Sequence, residues 1–375
     1  MYVVAVVLPE IQAEFGTART GASLPYMLTM IGFAGGGIAM GALTDRLRIF
    51  TPLLVGAVVL GVGYVAAAQA RTILEFALAS LVIGFGCSAS FGPLIADISL
   101  WFQRRRGIAV AIVACGNYAA GALWPPFVQQ LIVTEGWRSA YVFVGLVSLG
   151  ATVALAWLLH PAPSQRIVAA LGTASTSTVI SPPFGMSANT MQVLLCISGV
   201  SCCVAMAMPQ VHIVALCADL GYGPTRGAEM LSLMLSCGIA SRLLFGWVSD
   251  HIGGVRTLLL GASLQGVALA LFLPNQSLDV LFLASALFGL FQGGIIPSYA
   301  MIVREYFPPQ QAGTRVALTL TATLLGMALG GWASGAIFDL TSSYDAAFVH
   351  GIAWNLVTIA ITSMLVWGQR RREVF

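Results

Sequence analysis

The sequence predicts an all-α, polytopic membrane protein made of two six-helix bundles. The prediction rests on the composition, on the length of the apolar runs and on an internal repeat. Of the 375 residues, 58% are hydrophobic, only 8% are charged, and the mean hydropathy is +0.90. Soluble domains carry about 25% charged residues, so a soluble fold is excluded. The sequence also lacks the apolar–polar alternation that a membrane β-barrel requires.

Eleven apolar runs have the length of a membrane-spanning helix. They lie at 22–43, 50–70, 73–98, 107–132, 138–160, 190–216, 227–248, 256–274, 279–303, 312–338 and 347–368. An apolar stub at 1–9 would rise about 13 Å as a helix, whereas the hydrocarbon core is about 30 Å thick. Twelve arginines fall on one side of this map and four on the other. The positive-inside rule therefore predicts that the first side, which includes the C-terminus, is cytoplasmic.

The two groups of runs are related by an internal repeat at an offset of 205 residues. Glu14-Phe15-Gly16 matches Asp219-Leu220-Gly221, and Phe143 matches Phe348. One constant offset through separate loop regions is hard to obtain by chance. Both copies run in the same direction, so the repeat is a parallel one of six plus six helices.

The repeat also predicts the domain organisation. We expect an N-terminal transmembrane half at 1–160, a cytoplasmic linker at 161–188 and a C-terminal transmembrane half at 189–375. The seventh helix starts near 190, so its counterpart, helix 1, should begin about fifteen residues before Met1. We therefore expect helix 1 to be truncated in this chain, and a degenerate first helix is the alternative.

Two loop motifs resemble those of a known family. Residues 41–48 (GALTDRLR) look like the motif between helices 2 and 3 of the major facilitator superfamily, and residues 246–253 (GWVSDHIG) look like its counterpart between helices 8 and 9. Residues 101–109, 136–138 and 242–246 are similar to segments of the monocarboxylate-porter-like group, which includes oxalate/formate-type exchangers. The resemblance covers the whole chain and implies a secondary transporter.

Arg242 is the most informative candidate for substrate binding. It lies inside the eighth predicted helix, where a charge costs roughly 2.5–3.5 kcal/mol on insertion scales. Glu229 on the same helix is about 20 Å away along the axis, so it cannot neutralise Arg242 directly. A permanently charged guanidinium can hold a carboxylate with two hydrogen bonds. The resemblance implies a substrate-carboxylate ligand at this position, whereas an arginine that bonds helix carbonyls or snorkels to the surface is the structural alternative.

Polar residues near the middle of other helices are further candidates for the substrate site. They are Asn117 and Tyr118 on the fifth helix and Gln292 and Tyr299 on the tenth, where Pro297 could open the helix. His212 on the seventh helix is a candidate proton relay, because histidine titrates near physiological pH. Hydrogen bonding between helices is the structural alternative for each of these residues.

The two loop motifs supply candidate gating residues. The resemblance implies that Gly41, Asp45, Arg46, Gly246 and Asp250 take part in interactions that differ between inward-open and outward-open states. We interpret these positions as tight cytoplasmic loops. Orientation of the protein by positive charge is the alternative role for such residues.

The function predicted from these residues is secondary transport of a small organic anion, such as lactate or pyruvate, with proton symport or anion exchange. Efflux of drug-like or amphipathic solutes is the alternative. All 17 basic residues are arginine, which excludes a Walker-type lysine and a Schiff-base lysine, and no catalytic, metal-binding or cofactor-binding motif is present. The small net charge of +3 gives no reason to expect nucleic acid as a partner. We expect a monomer in the bilayer of a bacterial inner membrane.

Overall fold

A computed structural model describes residues 1–47, 49–101, 106–158, 183–273 and 277–373. Most of the predicted linker therefore lies outside the described residues, as do Arg48 and the side chain of Asp45. The described part forms fourteen α-helices and one short 3₁₀ turn. The helices are α1 (Val3–Phe15), α2 (Arg19–Arg46), α3 (Phe50–Ala68), α4 (Ile73–Ser88), α5 (Gly92–Trp101), α6 (Arg106–Glu135), α7 (Trp137–Leu158), α8 (Ala188–Asp219), α9 (Pro224–Ile252), α10 (Gly254–Ala270), α11 (Leu278–Gln292), α12 (Ile295–Tyr306), α13 (Pro309–Thr341) and α14 (Tyr344–Glu373).

The eleven predicted runs all coincide with helices, and this confirms the all-helical membrane fold. Nine helical segments of the described part are long and apolar enough to cross a membrane, and α10 is a shorter apolar helix. Two of the predicted runs are interrupted. The run at 73–98 divides into α4 and α5, and the run at 279–303 divides into α11 and α12.

Local sequence explains where several helices start and stop. Gly16 adopts a left-handed conformation (φ 58°) and its N–H bonds the Gln12 carbonyl, which closes the C-terminus of α1. At the start of α4, the Thr72 hydroxyl accepts a hydrogen bond from the Glu75 N–H at 3.2 Å. The Glu75 carboxylate in turn accepts one from the Arg71 N–H at 2.8 Å. These reciprocal bonds satisfy donors that the first helical turn would leave unpaired.

The helices are distributed over two compact units. Unit 1 contains residues 1–174 and 211–229, and unit 2 contains residues 175–210 and 230–375. In unit 1, α2 packs on α4, and α3 packs on α4 and α7. In unit 2, α10 packs on α11 and α14, and α13 packs on α12 and α14.

The repeat is visible in the closest helix contacts as well as in the helix boundaries. α2 and α9 begin at residues 19 and 224, and α4 and α11 begin at 73 and 278, in both cases 205 residues apart. A Cβ added at Gly84 would lie 2.0 Å from the Thr29 carbonyl oxygen, and one at the equivalent Gly289 would lie 1.9 Å from that of Met234. The same glycine thus allows the same two helices to touch backbone to backbone in each unit.

Candidate substrate-binding site

The candidate residues of unit 2 gather around the break between α11 and α12. Gln292 ends α11, Gly293 and Gly294 separate the two helices, and Ile295 begins α12. Pro297 lies in the first turn of α12 and has no N–H to bond the carbonyl of Gly293, four residues earlier. Gly293 (φ −60°, ψ −28°) and Gly294 (φ −87°, ψ −9°) both keep right-handed helical dihedral angles, so the interruption is local and residues 278–306 remain one apolar segment. Interrupted helices of transporters commonly lie at the substrate site.

Helix α9 brings Arg242 to the same region of unit 2. Its neighbour Ser241 lies against the break, because a Cβ added at Gly293 would meet the Ser241 Oγ at 2.9 Å and the Gly238 carbonyl oxygen at 2.5 Å. Arg242 directly follows Ser241 in the sequence, and Gln292 directly precedes Gly293, so both candidates flank this contact. The Arg242 side chain is buried, with 7% of the residue exposed. The structure therefore places these two candidates on neighbouring helices of unit 2.

Gln292 is paired with a residue that the sequence analysis missed. The Gln210 amide of α8 donates to the Gln292 Oε1 at 3.0 Å, and both residues are fully enclosed. Within the part of the chain that the structure describes, the Gln210 Oε1 and the Gln292 Nε2 have no hydrogen-bond partner. The pair thus holds one unused acceptor and one unused donor. The signal in the sequence was a glutamine inside an apolar run, next to Pro209.

Tyr299 is also engaged by α8. Its hydroxyl lies 3.0 Å from the Ser198 Oγ and 3.4 Å from the Cys202 Sγ, and Tyr299 is fully buried. The amide of Gln265 on α10 donates to the Cys202 carbonyl at 3.2 Å. The part of α8 that belongs to unit 2 thus forms hydrogen bonds with α10, α11 and α12, although its sequence is dominated by apolar residues.

The other candidates belong to unit 1. Asn117 is half-buried and Tyr118 is buried, both on α6. His212 is fully buried in the part of α8 that belongs to unit 1. Their proposed roles in substrate binding and proton relay stay predictions.

The candidate gating residues are helical, contrary to the interpretation as loop residues. α2 continues to Arg46 and α9 to Ile252, so Asp45, Arg46 and Asp250 lie in the last turns of these helices. The connections are therefore shorter than the motifs suggest: Gly253 alone, with φ 82°, separates α9 from α10. Arg46 and Asp250 are exposed. Among the described residues, no atom lies within 4 Å of a Cβ added at Gly41 or Gly246.

No group of three histidine, cysteine, aspartate or glutamate residues in the described ranges is arranged to hold a metal ion. The chemistry that the described site offers is therefore that of a cation and of amide and hydroxyl groups. Such groups bind and orient an oxygen-rich solute.

Comparisons with known proteins agree on one protein family for this chain. A model of the Major Facilitator Superfamily matches residues 1–241 and 193–374. Monocarboxylate transporter 13 of Rattus norvegicus is 28% identical over 320 residues, which cover 84% of this chain and 73% of that protein. Monocarboxylate transporter 11 of Mus musculus is 30% identical over 331 residues, which cover 82% and 70%. The uncharacterized MFS-type transporter YhjX of Escherichia coli strain K12 is 23% identical, with 79% and 74% covered.

Solved structures share the fold at low sequence identity. A mutant of the nucleoside transporter NupG matches with a TM-score of 0.73 and 13% identity over 97% of this chain and 95% of that one. A D-xylose-proton symporter matches with a TM-score of 0.69 and 15% identity over 97% and 92%. These matches support the assignment of the two six-helix bundles.

Proposed function

The chain belongs to the Major Facilitator Superfamily and is a multi-pass membrane transporter rather than an enzyme, and we propose that its substrate is a small organic anion of the monocarboxylate class. Lactate and pyruvate are the substrates to test first. The observation that carries the proposal is the buried Arg242 beside the broken helix. The names of the two monocarboxylate transporters that it resembles support the same class.

Arg242 supplies the charge that such a substrate needs. A guanidinium stays protonated at any physiological pH, and its planar fork matches the two oxygens of a carboxylate. Helix α9 carries two acids: the Glu229 carboxylate bonds Arg226 at 2.8 Å near the start of the helix, and Asp250 is exposed in its last turn. Inside a membrane protein, an arginine in this setting marks an ion or substrate pathway by default.

The amide and hydroxyl groups of Gln210, Gln292 and Tyr299, in the same unit as Arg242, would orient the rest of the substrate. The unused donor of Gln292 and the unused acceptor of Gln210 can accommodate a 2-hydroxyl group, which both accepts and donates. Tyr299 would fix the position of α12 relative to α8, because its hydroxyl bonds two residues of α8. We propose that Asn117 and Tyr118 contribute polar groups from the other half of the repeat.

The transport cycle would follow from the repeat. The two six-helix halves would rock to expose the site to one side and then the other, with Gly41, Asp45, Arg46, Gly246 and Asp250 at the gating positions. Proton symport or anion exchange would supply the driving force, with His212 as the candidate relay. We propose a monomer in a bacterial inner membrane with a cytoplasmic C-terminus.

The test is uptake of labelled lactate and pyruvate into proteoliposomes, with and without a pH gradient. Arg242→Gln should reduce kcat/KM at least about tenfold, since a hydrogen bond to a charged group contributes about 1.5–3 kcal/mol. Arg226→Gln is the matched control on the same helix: its side chain is 52% exposed, so uptake should stay within about twofold of the parent.

Equal uptake by the parent and Arg242→Gln would refute the role of Arg242 as the carboxylate ligand. Absence of uptake of either acid, with or without a gradient, would refute the proposed substrate class and direct the search to efflux substrates.

A further inference from the structure

An ion pair at one end of unit 1 joins the two halves of the repeat. The Arg19 Nη2 lies 2.7 Å from the Asp219 Oδ2. Arg19 is the first residue of α2, and Asp219 is the last residue of α8. The Arg19 side chain is only 5% exposed, whereas the Asp219 side chain is 39% exposed. The pair is therefore sheltered on the arginine side and accessible on the aspartate side.

Each charge of this pair is unfavourable for its own helix. A cation at a helix N-terminus and an anion at a helix C-terminus both oppose the helix dipole. Arg19 begins α2 and Asp219 ends α8, so neither residue is placed to stabilise the helix that carries it. Their placement becomes favourable only when the two side chains meet.

The repeat supplies a direct comparison, because Glu14 occupies the position equivalent to Asp219. The Glu14 carboxylate accepts hydrogen bonds from the Arg138 guanidinium and the Trp137 indole. A second nitrogen of Arg138 bonds the Ala70 carbonyl at 3.0 Å. The Glu14 pair thus stays within the first repeat, where it fastens α1 to α7.

The second repeat lacks the side chains that would hold Asp219 in the same way. Residues 342 and 343, which correspond to Trp137 and Arg138, are both serine. Asp219 instead pairs with Arg19 of the first repeat, while the residue equivalent to Arg19 is Pro224, which cannot form a mirrored pair. The two repeats therefore differ in one respect. Glu14 pairs with an arginine of its own half, whereas Asp219 pairs with an arginine of the other half.

The packing agrees with this difference. Residues 211–229, which comprise the end of α8, the following turn and the start of α9, belong to unit 1. By the repeat, the same residues belong to the second half of the chain. This end of the second half is thus docked on the first half in the present structure.

We infer that Arg19 and Asp219 form a closing pair, an ion pair that holds the two halves together at this end and breaks each time the transport pathway opens there. The Glu14–Arg138 pair persists throughout, because both of its members move with the first half. The inference rests on the alternating access of the proposed function.

The test measures the distance between the two halves at this end by pulsed electron paramagnetic resonance. Spin labels are placed at Ala18 and Tyr222, which are exposed and flank the two members of the pair. The background variant has its seven native cysteines replaced and is checked by melting temperature and monodisperse elution. In this background the short distance of the present structure should dominate.

Asp219→Asn should raise the ratio of the long to the short distance about fivefold, the population change that corresponds to an ion pair worth about 1 kcal/mol. Arg19→Gln should give the same change, which protects the test if one variant folds poorly. The exchange of the two residues, Arg19→Asp with Asp219→Arg, should restore the short distance. Glu14→Gln is the matched control and should leave the ratio unchanged.

Unchanged distances in both Asp219→Asn and Arg19→Gln would overturn the inference. An equal shift in Glu14→Gln would also overturn it, because the effect would then be a general loosening of this end. No substrate enters the measurement, so failure of lactate or pyruvate uptake would refute the proposed substrate class and leave this result standing.

Discussion

Gly289→Ala tests the close helix contact that lies one turn before Gln292. The added Cβ would lie 1.9 Å from the Met234 carbonyl oxygen, whereas ordinary contact begins at 3.4 Å. Helices α9 and α11 would therefore have to separate by about 1.5 Å (3.4 minus 1.9). Overpacking costs about 1–3 kcal/mol, and the upper end applies because a backbone oxygen cannot rotate away. Alanine regains about 1 kcal/mol of helix propensity, so we expect a net loss of about 2 kcal/mol.

A thiol-reactive dye provides the assay, since Cys202, Cys203 and Cys217 are buried and react only on unfolding. Gly289→Ala should lower the melting temperature by several degrees, at about 2–4 °C per kcal/mol. The same separation would shift α11, which carries the proposed site residue Gln292, relative to α9, which carries Arg242, so uptake should also fall.

Two further glycines serve as internal comparisons. Gly84→Ala should lower the melting temperature as Gly289→Ala does, because the repeat places it against the Thr29 carbonyl in the same way. A Cβ added at Gly35 meets no described atom within 4 Å, so Gly35→Ala should leave the melting temperature unchanged or raise it. An unchanged melting temperature in Gly289→Ala would refute the close approach of α9 and α11.

Two other predictions concern hydrogen-bonded pairs and use the same melting assay. Burial raises the pKa of Glu14, but hydrogen bonds from Arg138 and Trp137 outweigh it and leave the pKa below the ordinary 4.5. The pair should therefore stabilise the fold fully above about pH 4.5 and lose this effect as the pH falls through the lowered pKa. Glu14→Gln should lower the melting temperature at pH 7. If the parent and the variant still differed in melting temperature in strong acid, the charge of Glu14 would not be the cause. Gln210→Leu should cost about 1–3 kcal/mol by leaving the Gln292 amide without its donor, and the double change with Gln292→Leu should cost less than the sum of the single changes. Strict additivity would show that the two amides do not interact.

The fold of this protein could be predicted from its amino-acid sequence. Apolar runs in a chain with 8% charged residues can satisfy their backbone groups in a bilayer only as helices. The offset of 205 residues placed equivalent helices within a few residues of their observed starts. Arg242 could also be identified from sequence as a candidate site residue, because a charge inside an apolar run is costly wherever its helix packs.

The contacts between distant residues required the three-dimensional structure. Gln210 lies in an apolar run without any partner nearby in sequence, and its partner Gln292 is 82 residues away. Pro297 indicates the break of the tenth run from sequence, but no local pattern records that α9 approaches Gly293 so closely.

The ion pair of Arg19 with Asp219 is the clearest example of this limit. From the sequence alone, each charge lies at the unfavourable end of its helix. The repeat also suggests that Asp219 should have a partner within its own half. The serines at 342 and 343 remove that partner, and the approach of α8 to α2 supplies another one 200 residues away. A pairing of this kind depends on the three-dimensional distance between helix ends, whereas sequence patterns report only the periodicity and composition of each helix.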